Sequence, residues 1–103
     1  PEMAVLQLRA GQSAAFETAF REAAPIIAAM PGCLGYELQR CLETSDRYLL
    51  LVRGRALEAH TVGFRQSPEY QRWRELLHHF YDPFPTVEHF EEVPTGPEPD
   101  QSS

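Results

Sequence analysis

The chain of 103 residues contains no lysine and no asparagine. Without lysine, no internal side chain can form a Schiff base with a carbonyl substrate; without asparagine, one common neutral donor to an oxyanion or to O2 is missing. The nine basic residues are therefore all arginine, scattered along the sequence and outnumbered by fifteen acids. A net charge of −6 with no basic cluster argues against nucleic acid as a partner, because phosphate binding depends on grouped cations. Cysteine is scarce: Cys33 and Cys41 lie on one expected strand, about 26 Å apart at roughly 3.3 Å per residue, far beyond disulfide reach. They are expected to be free thiols, and neither sits in a CxxC pair. No apolar run approaches the roughly 20 residues that cross a bilayer, and no charged-then-apolar leader opens the chain, so no membrane partner and a cytoplasmic location are expected.

What is present describes a globular chain: 43% hydrophobic and 11% aromatic residues, the share of a packed core rather than of a disordered segment. Residues 1–93 read as a single domain. A domain of this size buries only roughly 60% of its unfolded surface, which favours a partner subunit. From Pro94 the sequence PTGPEPDQSS has no large apolar residue, so 94–103 is expected to be a disordered tail.

The periodicity gives the element order. Met3 to Arg9 is a β-leaning run ended by Ala10-Gly11. Gln12 to about Met30 is alanine-rich with Phe16, Phe20, Ala23 and Ile27 on one helix face; Pro25 inside that pattern predicts a kink or break near Ala24. Pro31-Gly32 stops the helix, and Cys33 to Leu42 and Arg47 to Arg53 form a hairpin across the polar turn 43–46. After Gly54 the period changes from two to 3.6, with Leu57, His60, Thr61 and Phe64 on one face. A second helix opens at Ser67-Pro68-Glu69, a hydroxyl cap, a proline at the first helical position and an acid at the positive end of the dipole. Its inner face reads Tyr70, Trp73, Leu77 and Phe80. Tyr81 to Pro85 is a stiff extended connection, and Thr86 to Val93 alternates as a last edge strand.

The order β-α-β-β-α(α)-β implies an α+β fold with a four-stranded antiparallel sheet and helices on one side. Leu49, Leu50, Leu51 and Val52 put apolar residues on both sheet faces, so the face without helices needs a cover. A second copy of the sheet is the simplest one, and a homodimer is expected.

The stretches VLQLRAGQSAAFETAF, MPGCLGYELQR, RYLLLVRGRALEAH, SPEYQRW and PTVEHFEEV resemble the antibiotic biosynthesis monooxygenase family, over roughly residues 3–93. The resemblance implies a ferredoxin-like protomer that pairs sheet to sheet as a dimeric α+β barrel. For activity it implies oxidation of a small aromatic phenol or quinol by O2 with no cofactor and no metal. Deprotonation of the phenol leaves an electron-rich anion that can pass an electron to O2, while the protein excludes water and manages protons. Members commonly carry tryptophan where this chain has Gly54, and several active ones use an asparagine that this chain lacks.

In this reading His60 is the catalytic proton acceptor, Tyr70 and Trp73 hold the ring, and Phe64 excludes water. Each has a plainer use: His60 as a packed or capping histidine, and the aromatics as core. Tyr36 and Arg40 share a parity on the second strand and serve either the substrate pocket or the contact with the partner. His78 and His79 point about 100° apart on a helix, too far to hold one metal together. Two rivals carry the same fold without turnover: a dimeric module that binds a small hydrophobic ligand, and a stress-associated dimer whose cavity is incidental.

Overall fold

The computed structural model describes residues 1–54 and 66–97. Strand β1 (Glu2–Gln7) is followed by helix α1 (Ser13–Ala29), strands β2 (Cys33–Arg40) and β3 (Arg47–Gly54), helix α2 (Pro68–Leu77), a 3-10 turn (His78–Phe80) and a short strand β4 (Val87–His89). The four strands form one sheet in the order β2-β3-β1-β4, and every neighbouring pair is antiparallel. This is the ferredoxin-like arrangement expected from the sequence, with β1 and β3 central and β4 at an edge. The last strand is shorter than its alternation predicts: pairing with β1 ends at Glu2↔His89, and Phe90 and Val93 lie exposed beyond it.

The hydrophobic core lies between one sheet face and the helices. Ala4, Leu6 and Leu8 from the first strand and its continuation, with Tyr48, Leu50 and Val52 of β3, are all nearly inaccessible. Phe16, Phe20, Ala23 and Ile27 of α1, the four residues its spacing selects, are the buried residues of that helix. Phe16 is the hub, with ring centroids of Phe20, Tyr48 and Phe80 within 5.8 Å. Trp73 and Leu77 close the core from α2.

Helix α1 runs unbroken through Pro25. Proline leaves the carbonyl one turn earlier, that of Arg21, without its helical donor. Both residues are exposed, so water can satisfy that carbonyl. The N-terminus of α1 has no side-chain cap of its own. Asp46, from the β2–β3 connection, supplies one: its carboxylate accepts from the Gly11 amide at 3.0 Å and the Ser13 hydroxyl at 2.7 Å. Asp46 occupies the left-handed region at φ 58°, a conformation Asp tolerates better than most residues.

At the start of β2 the register shifts between Cys33 and Gly35, leaving Leu34 as an exposed bulge residue. Opposite it, Gly54 has φ +93°, and a Cβ there would lie 1.8 Å from the Gly32 carbonyl oxygen. The close approach of the Pro31-Gly32 turn thus requires glycine at 54 and leaves no room for a tryptophan. At the same end of the sheet, toward the β4 edge, the carboxylate of Glu2 is fully buried, 3.2 Å from His89 Nε2 across the β1–β4 pair.

The second sheet face carries Met3 and Val5 of β1 opposite Leu51 and Leu49 of β3. No described helix lies over it, and Val5 is 55% exposed.

Candidate functional site

A cavity of about 110 Å3 lies between α2 and the helix side of the sheet, close to the β4 edge. Its floor is aliphatic: Ala4 and Leu6 of β1, Leu50 of β3 and Val87 of β4. These positions face inward because they share the strand parity that the core uses. Tyr70 and Trp73 form the α2 wall, and His78, Tyr81, Phe84 and Pro85, which follow α2 in the chain, complete the lining.

Each wall is held by identifiable local chemistry. Ser67 caps α2, its hydroxyl accepting from the Tyr70 amide at 3.2 Å, and Pro68 occupies the first turn where no helical donor is needed. The Trp73 indole is buried, with the Phe20 ring edge-on behind it at 6.1 Å. Beyond the 3-10 turn the chain is pinned to the end of β1: the Arg9 amide donates to the Phe80 carbonyl at 2.9 Å and the Asp82 amide to the Gln7 carbonyl at 2.8 Å. That fixes Tyr81, whose ring meets Phe84 edge-on at 5.7 Å, while the His78 imidazole meets Phe84 edge-on at 4.9 Å.

Three titratable side chains, Tyr70, His78 and Tyr81, therefore line an otherwise apolar cavity. Burial, with a smaller contribution from Arg74, holds His78 below the usual histidine range and so favours neutral imidazole. Burial also raises the Tyr81 phenol above its ordinary value, keeping it a protonated donor.

The structure brings together Tyr70 and Trp73 of the residues expected from sequence. His60 and Phe64 lie outside the described residues. Tyr36 and Arg40 lie elsewhere, on β2, with the parity that faces the helices. Tyr36 packs half-buried beside Phe20, centroids 6.1 Å apart. Arg40 pairs with Glu17 of α1 at 2.6 Å, and the buried Tyr48 hydroxyl donates to the same carboxylate. The Tyr48 bond first, and the Arg40 bond next, hold Glu17 below the usual carboxylate range. This cluster borders a separate groove of about 170 Å3 with Phe20, Arg21 and Leu38.

Sequence reasoning missed His78, Tyr81 and Phe84. It weighed His78 only as a metal ligand and treated 81–85 as a connector. The available signal was aromatic density, since HHFYDPF places five aromatic or imidazole rings in seven residues, more than a solvated connection needs. Among the described residues no three His, Cys, Asp or Glu side chains are grouped to hold a metal ion, and no helix is long and apolar enough to cross a membrane.

Comparison with known proteins agrees with this fold. The sequence pattern of the antibiotic biosynthesis monooxygenases matches residues 2–76. The uncharacterized protein YczJ of Bacillus subtilis (strain 168) is 54% identical over 92 residues, spanning 89% of this chain and 97% of that protein. A crystal structure from Bordetella bronchiseptica, assigned as an antibiotic biosynthesis monooxygenase, superposes with a TM-score of 0.76 at 35% identity, covering 89% of this chain and 94% of that one. SnoaB, a cofactor-independent oxygenase from Streptomyces nogalater, shares the fold with a TM-score of 0.56 at 24% identity, covering 94% and 95% of the two chains.

Proposed function

Because the chain belongs to the antibiotic biosynthesis monooxygenase family, we propose that the cavity beside Trp73 takes a small phenol or quinol and that the protein oxidises it with O2, using neither metal nor flavin. The observation that carries this reading is a cavity with an aliphatic floor, the aromatic wall of Tyr70 and Trp73, and the titratable side chains of His78 and Tyr81 in its lining. Its volume of about 110 Å3 is on the scale of one aromatic ring; a dry protein cavity of roughly 150 Å3 takes benzene.

The reaction needs little from the protein. A base removes the phenolic proton, and the electron-rich anion passes one electron to O2. The resulting radical pair combines at ring carbon, and the hydroperoxide loses water to give a quinone. Phenol plus O2 then balances quinone plus water without an external reductant. Excluding bulk water protects the anion, a task for the floor of Ala4, Leu6 and Leu50. In the family pattern His60 accepts the proton and Phe64 helps to seal the site. The same reading includes a homodimer paired through Met3, Val5, Leu49 and Leu51, supported by the exposure of that sheet face.

Gly54 favours a second reading, a module that binds the ring without turnover, because the backbone there is closed to the tryptophan common in the family. O2 uptake by metal-stripped protein across a panel of single-ring dihydroxyarenes separates the two. The expected result is uptake above the spontaneous rate that is lost in Val87→Phe, which fills the cavity from its edge. Ring binding without uptake would select the binding module, and neither would remove the site.

A further inference from the structure

The geometry points to His78 as the group that takes the phenolic proton, with Tyr81 donating a hydrogen bond to the oxygen anion that results. The inference rests on the ring-binding reading of the cavity and goes beyond it by assigning the proton acceptor to a residue outside the family pattern.

His78 and Tyr81 line the cavity together, their rings 6.0 Å apart, centroid to centroid. Both rings are fixed by Phe84, which touches each of them edge-on. His78 is half-buried and Tyr81 buried, and both side chains line the cavity. A hydroxyarene lying against Trp73 is within reach of both. Its O–H donates to the imidazole, and its oxygen accepts from the Tyr81 hydroxyl.

Burial and Arg74 keep the imidazole neutral near physiological pH, so it has a lone pair to offer. Burial keeps Tyr81 protonated, so it stays a donor. In the transfer the ligand's O–H bond breaks and an imidazole N–H bond forms, the electron pair remaining on oxygen. The product is an imidazolium–phenolate pair beside a phenol donor. An imidazole acceptor and a phenol donor side by side in a one-ring cavity select a single-ring arene with its hydroxyl toward that pair.

Trp73 is the only tryptophan in the chain and lines the cavity, so its fluorescence reports occupancy independently of proton transfer. The probe is 4-nitrophenol, whose phenolate absorbs at longer wavelength than its phenol, titrated below its own pKa. Quenching of Trp73 with growth of the phenolate band is expected. In His78→Gln, quenching should persist with affinity reduced about tenfold and the phenolate band lost. In Tyr81→Phe the band should survive on a smaller bound fraction. A band that persists in His78→Gln and disappears in His60→Gln would overturn the assignment while leaving the cavity reading intact. No quenching in the folded wild-type protein would remove both. Circular dichroism of each variant separates a lost role from a lost fold.

Discussion

At the scale of single residues, polar groups do the joining that apolar packing cannot. Asp46 ties the β2–β3 connection to the start of α1, and Glu17 ties α1 to Tyr48 and Arg40 on the sheet. The Ser13 hydroxyl first, then the Gly11 amide, hold the Asp46 carboxyl below its ordinary value of 3.8. A carboxyl depressed by folding contributes stability that is present above its unfolded value and lost as pH falls through its folded value. Asp46 therefore steepens acid unfolding below about pH 4. Asp46→Asn keeps a side chain that tolerates positive φ and can still accept one bond, while removing the charge. Its acid limb, followed by circular dichroism from pH 5 to pH 2, should be shallower than that of the parent. An unchanged limb would mean that Asp46 acts through geometry alone. This cap was not legible in sequence: Asp46 reads locally as a turn residue, and nothing in the chain order says which helix end a turn 33 residues downstream will meet.

At the scale of elements, the sequence was most legible where period and punctuation agree. The inner face of α1 and the Ser67-Pro68-Glu69 start of α2 both stand as their spacing and capping chemistry require. At Pro25 the expected break does not occur, since tertiary packing of Phe16, Phe20, Ala23 and Ile27 outweighs one missing hydrogen bond on the wet side of the helix. The cavity was legible in part for a related reason. Tyr70 and Trp73 belong to a regular helix whose faces can be counted, whereas His78 follows a change of winding to 3-10 and Tyr81 is placed by long-range bonds to β1. A helix that tolerates Pro25 should improve without it. Proline is about 3 kcal/mol less favourable than alanine in a helix interior, and its stiffening of the unfolded chain returns up to about 1 kcal/mol. Pro25→Ala should therefore raise stability by roughly 2–3 kcal/mol, seen as a Tm higher by about 8 °C or more. A lower Tm would show that the backbone shape imposed by proline is what seats Ile27 and Met30.

At the scale of the whole molecule, the fold leaves two unlike sheet faces. One is sealed by the helices and holds the cavity; the other presents Met3, Val5, Leu49 and Leu51 with polar Gln7, Glu37 and Gln39 around them. Each of those apolar side chains is at least partly accessible in the single chain, so charge can be introduced there without disturbing the core. Two copies each carrying −6 repel, so any pairing through this face must be driven by apolar burial against an electrostatic cost. Salt screens that cost over about 10 Å at 0.1 M, so the proposed dimer should tighten as ionic strength rises, the reverse of an association held by ion pairs. Val5 is the sharpest probe, being 55% exposed on a central strand. Val5→Glu would leave the monomer fold intact and place two like charges near each other in the paired state. Sedimentation at micromolar concentration should show the parent as a dimer and the variant as a folded monomer, with O2 uptake then measuring whether the cavity needs its partner. A variant that remains dimeric would move the interface away from this face, and the apolar residues on it would need another cover.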